Sequence, residues 1–298
     1  MKILLFGKNG QVGWELQRSL TPLGLVLALD RTSTSYCGDL TKPDELAKTV
    51  LDYRPDVIVN AAAHTHVDRA ESEPALARLL NSEAPAALGK AAKHVGAWLV
   101  HYSSDYVFDG GGIHARREDD FANPLSVYGQ TKLDGEKAIQ TSGCNYLIFR
   151  TSWVFAARGS NFVSKILRMA QEREKLTVIN DQHGAPTGAD LIADVTAHAI
   201  RCVMSPQNIS LGGTYHLAAS GETTWHAIAK HVTEKARLMS PAIEWKVKEI
   251  EAVPTTAFPT PAARPLNSRL CTDKLQHMFG IFLPAWQPGV DRMLTEIL

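Results

Sequence analysis

The sequence predicts an α/β protein: a Rossmann-type doubly wound parallel sheet with a smaller C-terminal α/β substrate domain. Three observations carry that prediction. Short apolar runs alternate with amphipathic stretches up to about Arg150, a glycine-spaced turn follows the first run, and the alternation becomes less regular beyond Thr151. The expected division is a dinucleotide-binding domain over residues 1–152, with parts of 160–180 adding to its sheet, and a substrate domain over 153–298.

Taken in order, Ile3 to Phe6, Leu25 to Leu29, Val57 to Asn60, Trp98 to Tyr102 and Tyr146 to Phe149 read as strands. Their near-continuous apolar character fits strands buried on both faces. A short third strand is expected just before Asp39. Helices are expected at Val12 to Leu20, Pro43 to Tyr53, Pro74 to Val95 and Val127 to Gln140, with Gly24, Gly96 and Gly143 placed as their C-terminal caps. Beyond Thr151 the pattern predicts a helix from Phe162 to Arg173, a strand from Leu176 to Ile179 and a loop from Asp181 to Gly188. Further helices follow at Ala189 to Cys202, Thr224 to Leu238 and Pro288 to Ile297. The proline-rich segment Val253 to Pro265 is expected to be an extended strap, lying over a cleft or serving as a linker.

The composition bounds the function. The 298 residues are 45% hydrophobic and 21% charged, with 31 basic and 31 acidic side chains. That balance lacks the electrostatic footprint of a nucleic-acid or membrane-surface binder and points to a small-molecule partner. The four cysteines are far apart, as expected of free thiols. No apolar run approaches the length of a membrane helix and no signal peptide precedes the first strand, so a cytoplasmic protein is expected.

Gly7, Gly10 and Gly13 are spaced to turn the chain out of the first strand, admit a pyrophosphate and pack the new helix on the sheet. Asp30 ends the second strand, where a carboxylate accepts the ribose hydroxyls of NAD, and Arg31 beside it attracts a 2′-phosphate. NADH and NADPH both stay open. Asp39 and Leu40 are placed to flank an adenine, or to form a surface turn. Asn60, Ala61, Ala62 and Ala63 are small enough to let a nucleotide lie against the backbone, or a helix pack there.

Tyr128 and Lys132 stand four apart on one helical face, where an ammonium can lower the phenol's pKa. Ser103, Ser104 and Asp105 end the preceding strand, and a hydroxyl there can polarise the same substrate carbonyl. The set predicts hydride delivery to a ketone, with Tyr128 as proton donor, Lys132 orienting coenzyme and phenol, and Ser104 bonding the ketone oxygen. Trp153 falls at a sheet's C-terminal end, where it can stack on or bound a ligand. Trp14 and Trp98 read as packing, His64 and His66 as structural or at the substrate edge rather than zinc ligands, and Glu172 to Lys175 as a solvated face.

These residues together resemble the extended short-chain dehydrogenase/reductase superfamily and, within it, the dTDP-4-dehydrorhamnose reductases. The blocks Leu4-Leu5-Phe6-Gly7, Arg54 to Thr65, Asp105 to Phe108, Phe149 to Trp153, Asp181 to Thr187 and Ala263 to Ser268 carry the resemblance nearly end to end. It implies coenzyme contacts at Gly10, Gln11, Val12, Asp30, Asp39, Leu40, Ala62, Ala63 and Thr65, and sugar-nucleotide contacts at Ser104, Asp105 and Trp153. The implied substrate is dTDP-4-dehydro-6-deoxy-L-mannose. For some members it further implies a homodimer held through Mg2+, with Glu15, Asp190 and Glu296 at the matching positions.

Two departures stand out: Ser104 replaces the family's threonine, and Asp109 to Gly112 reads as a looser loop. Two other readings share the motifs. A sugar-nucleotide dehydratase or epimerase keeps the Tyr/Lys pair, but elimination needs an acidic pair, and here Tyr106 follows Asp105. A regulatory subunit that binds dinucleotide without turnover typically loses members of the catalytic set, which is present here.

Overall fold

The computed structural model describes residues 1–205 and 211–298. The chain begins β1 (Lys2–Phe6), α1 (Gln11–Leu20), β2 (Leu25–Leu29), α2 (Pro43–Tyr53), β3 (Val57–Asn60), α3 (Val67–Ser72) and α4 (Pro74–Arg78). A π-helical turn, Leu79–Glu83, leads into α5 (Ala84–Val95), followed by β4 (Trp98–Ser104), α6 (Val127–Ser142) and β5 (Asn145–Thr151). The remainder comprises β6 (Val154–Phe155), α7 (Phe162–Glu172), β7 (Lys175–Ile179), β8 (His183–Gly184), β9 (Thr187–Gly188), α8 (Ala189–Val203), β10 (Gly213–His216), β11 (Thr223–Thr224), α9 (Trp225–Met239), β12 (Glu249–Val253), α10 (Asp273–Phe279) and α11 (Trp286–Ile297). No helix among the described residues is long and apolar enough to cross a membrane.

The central sheet has the order β10-β5-β4-β3-β1-β2, with every pairing parallel. Alternation along β1 sends Ile3 and Leu5 to one face and Leu4 and Phe6 to the other. The first pair packs with Leu16 of α1 and Ile192 and Ile200 of α8. The second packs with Leu46 of α2, Leu88 of α5 and Ile139 of α6. Strand order reverses at β1, and in open α/β sheets ligands bind beyond the strand ends at that point.

A second core joins α7, α9 and α11 through Ile166, Val232 and Leu294, with Leu176 and Val178 of β7 beneath them. Here the structure corrects the expected sheet: nothing from 160–180 enters it. β7 pairs instead with β12, Leu176 opposite Ile250, so both strands are committed to the second core. The sixth strand of the central sheet is β10, Tyr215 opposite Phe149.

Smaller expectations are corrected too. No strand lies between β2 and Asp39, whose carboxylate accepts the Thr41 backbone N–H and hydroxyl at 3.0 and 2.8 Å, a turn that leads into α2. Gly96 and Gly143 do adopt the left-handed conformation at helix ends, whereas Gly24 is extended after a 3-10 turn. The loop of Asp109 to Gly112 is tied rather than loose. Asp109 binds Arg116 at 2.6 Å, and a Cβ on Gly110 would lie 2.5 Å from Pro265. Trp14 is not packed but 46% exposed, under the Arg158 guanidinium. Among the described residues no cysteine forms a disulfide.

Candidate active site

The turn after β1 is built for an anion. A Cβ on Gly7 would lie 2.7 Å from the Ala62 nitrogen and one on Gly13 2.0 Å from the Gly7 carbonyl, so both positions admit only hydrogen. Gly10, by contrast, meets only that carbonyl, at 3.4 Å, and leaves the space above the turn open. It also starts α1 without a side-chain cap, so the first backbone N–H groups of the helix point outward unclaimed. That set fits a pyrophosphate. Gln11 follows, its amide oxygen accepting from Asn161 at the start of α7, while Val12 packs against the first core.

Asp30 stands beyond β2 but is not bare. Thr32 donates its N–H and hydroxyl, Ser33 its hydroxyl, and Asn9 and Lys8 approach the other oxygen. The Thr32 bonds lead in holding this carboxyl below the usual range, despite some burial. Arg31 is exposed beside it. Ala62, Ala63 and Thr65 line the chain after β3, while Leu40 is buried in the core.

At the end of β4, Ser104 donates to Asp105 Oδ1 at 3.0 Å and accepts the Tyr106 N–H at 3.1 Å. Tyr128 stands on the first turn of α6, where Ser126 caps the helix at the Gly129 N–H, and its phenol is influenced by Ser104. The expected lowering of the phenol is not met: burial pushes Tyr128 up to about 12, Ser104 lowers it and the Asp105 charge raises it. The reason is where Lys132 points. Its Nζ donates to the Tyr102 carbonyl at 2.5 Å and lies 3.5 Å from His101 Nε2, and burial draws it down to about 8. Asp105 is pushed up to about 6 by burial, and its Oδ2 is buried with no hydrogen-bond partner among the described residues.

Tyr106 joins this centre to a large cavity. Its ring meets Tyr128 edge to face at 5.6 Å, and it forms part of the wall of a space of about 580 Å3. Phe162, Trp225 and Phe258 give that space aromatic walls, and Lys165, Arg173 and Arg264 give it positive charge. Arg264 is paired with Asp68 at 2.7 Å, whereas Lys165 and Arg173 have no ion pair among the described residues. Size and lining suit a ligand that is aromatic at one end and anionic beside it. The strap of 253–265 closes one side, so it is a wall of the cavity and not a linker. Trp153, in left-handed backbone (φ 49°), stacks on Trp225 with ring centroids 3.9 Å apart.

The sequence reading missed most of this cavity. Arg173 and Lys175, taken as a solvated face, belong to its wall, Lys175 being held by Glu249 and Glu251 at 3.1 Å each. The signal was faint: basic residues at the end of one helix become a site only when a proline-rich segment far along the chain folds over them. Asn81 was also missed. His64 is buried, its Nε2 3.5 Å from Glu73.

The magnesium expectation gains no support from this chain. Glu15, Asp190 and Glu296 do line one small depression, but Arg292 stands among them, 3.4 Å from Asp190 and 3.2 Å from Glu296. A guanidinium already supplies the positive charge, and the described residues contain no cluster suited to a metal. These carboxylates do not fit an ion as they stand.

Residues 1–298 match the model of the RmlD substrate binding domain family. The chain is 58% identical to the dTDP-4-dehydrorhamnose reductase of Shigella flexneri, over 100% of this chain and 98% of that protein. It superposes on a solved dTDP-4-dehydrorhamnose reductase from Clostridium acetobutylicum with a TM-score of 0.90 at 32% identity, covering 100% and 99% of the two chains. A structure of the Bacillus anthracis reductase in complex with NADP gives 0.88 at 32% identity, covering 99% of each.

Proposed function

We infer, from the premise that this chain belongs to the RmlD substrate binding domain family, that it reduces dTDP-4-dehydro-6-deoxy-L-mannose to dTDP-L-rhamnose with NAD(P)H. The observation that carries the reading is the continuity from Tyr128 through Tyr106 into the aromatic, basic cavity. A nucleoside diphosphate sugar has the matching layout, and the cavity's size allows the nucleotide to be held while the sugar reaches the phenol.

In this reading the turn of Gly7 to Gly13 holds the coenzyme pyrophosphate, Asp30 and Arg31 face the adenosine ribose, and Ala62, Ala63 and Thr65 bound the nucleotide. The bound reduced nicotinamide supplies the hydride. The chain's own groups manage the proton: Tyr128 gives its hydroxyl proton to the ketone oxygen as the carbon is reduced, and Ser104 offers a hydrogen bond to the same oxygen. Lys132 fixes the coenzyme and supplies positive charge near the phenolate that results. Asp105, with one carboxyl oxygen uncommitted, faces the sugar hydroxyls. Phe162 and Trp225 hold the base, and Arg173 and Lys165 the diphosphate.

The test is loss of reduced-nicotinamide absorbance with the purified protein and the 4-keto sugar nucleotide, with NADPH and NADH run side by side. Turnover by wild type but not by Tyr128→Phe supports the reading. Coenzyme binding without turnover sinks it in favour of a non-catalytic dinucleotide-binding role.

A further inference from the structure

Behind Lys132 runs a line of buried polar groups that the reaction as described leaves unused. Asn60 closes β3, His101 stands opposite it in register on β4, and each is 1% exposed. The Ala62 backbone N–H donates to Asn60 Oδ1 at 3.2 Å. Because a backbone amide only donates, that contact decides which end of the Asn60 side chain is oxygen. The other end, Nδ2, lies 3.2 Å from His101 Nδ1 and also only donates. At 3.2 Å against 3.5 Å on the lysine side, this is the closer of the ring's two contacts, so Nδ1 accepts and carries no proton. A neutral ring in this position holds its single proton on Nε2, 3.5 Å from Lys132 Nζ. Burial, and then the charge of Lys132, keep His101 well below its usual range and so neutral.

We propose that His101 is a positioning residue for Lys132, held by Asn60 in the tautomer that presents an N–H to the lysine nitrogen. The proposal rests on the reductase reading and adds a residue to it. As an ammonium, Lys132 gives one hydrogen to the Tyr102 carbonyl and can turn none toward another N–H. Its remaining hydrogens are then left for the coenzyme of the reductase reading. As an amine, Lys132 has a lone pair that accepts the His101 N–H, so this tautomer favours the lysine that has released its proton.

The surroundings let this contact count. On α6, Tyr128 lies one turn before Lys132 and Glu136 one turn after, and the Glu136 carboxylate opposes the effect. It is engaged by Arg150 of β5 at 2.7 Å, with both side chains buried. Asp105 lies beyond Ser104 at the end of β4, and β3 offers only the neutral Asn60. Asparagine carries no titratable proton, so the line ends there and His101 orients and tunes Lys132 without relaying protons.

Asn60→Asp reverses the arrangement with almost no change of shape. One carboxylate oxygen still accepts from Ala62, the other accepts where Nδ2 donated, the ring proton moves to Nδ1, and Nε2 becomes an acceptor for the ammonium. Long-range 1H–15N spectra of the full chain read the tautomer directly, with the His101 signal assigned by its loss in His101→Phe. The wild-type ring should carry its proton on Nε2, and Asn60→Asp should move it. The alkaline limb of kcat/KM should rise by about one pH unit in Asn60→Asp, a tenfold gain in proton affinity, and rise in His101→Phe as well. A wild-type ring protonated on Nδ1, or an alkaline limb unmoved in His101→Phe, overturns the proposal even if Asn60→Asp does not fold. Absence of wild-type turnover on the 4-keto sugar would sink the reductase reading instead and leave the tautomer result standing.

Discussion

Asn81 accepts the backbone N–H of His64 at 2.8 Å and returns a hydrogen bond to the same residue's carbonyl at 3.1 Å, across 17 positions of sequence. Its amide also reaches Thr131, which lies between Tyr128 and Lys132 on α6. One fully buried side chain in a π-helical turn thus fastens the loop after β3 to the helix that carries Tyr128 and Lys132.

Asn81→Ala should leave the His64 N–H and carbonyl buried without partners, at a cost of about 2–4 kcal/mol. Urea unfolding of the variant measures it, and a loss below about 1 kcal/mol would mean water replaces the amide. Coenzyme affinity should weaken in parallel, because the loop holding Ala62, Ala63 and Thr65 loses its anchor.

Tyr128→Phe should lower kcat by about 10²–10⁴-fold, the range for a positioned general acid, with coenzyme binding retained by fluorescence titration. Loss of binding together with turnover would instead assign the phenol to holding the cofactor.

Asp105→Asn should stabilise the protein at neutral pH. Burial raises this carboxyl from 3.8 to about 6, so the native state holds a proton between those values that the unfolded chain has shed. Above pH 6 the native state buries a charge, and the cost lessens as pH falls through 6 and vanishes below about 4. Thermal melts should show a gain of about 1–3 kcal/mol at pH 7 and none at pH 4. An equal gain at both values would trace the effect to packing.

Arg173→Ala should raise KM for the sugar nucleotide about tenfold, the loss of roughly 1.4 kcal/mol from one charge-assisted contact, with kcat little changed. An unaltered KM would place the diphosphate elsewhere in the cavity.

Arg31→Ala should weaken NADPH by about tenfold and leave NADH nearly unchanged, since the ionised Asp30 opposes a 2′-phosphate that only exposed cations such as Arg31 can offset. Steady-state KM values for the two coenzymes decide it, and equal losses would show that Arg31 does not discriminate.

The first half of the chain was legible because its signals are local. Apolar runs such as Val57 to Asn60, the glycine turn and the Tyr128/Lys132 spacing each lie within a few residues, and all three fall where expected. What the sequence hid depends on distant segments meeting. β10 joins β5 from more than sixty residues away, and the cavity wall combines Phe162, Arg173, Trp225 and Phe258 from three separate stretches. The Tyr128 phenol shows a third kind of gap: four-residue spacing put Lys132 on the right helical face, but its nitrogen is claimed by the Tyr102 carbonyl.

The place of β10 at the sheet's edge also sets a timetable for synthesis. Once β5 has emerged, one side of it stays unpaired until residues 213–216 follow, and elongation at about 5–20 residues per second makes that wait roughly 3–13 s. During it, Leu147 and Phe149 lack the neighbour that finally covers them, a window in which a nascent chain is exposed to holding chaperones and to pairing with the wrong edge.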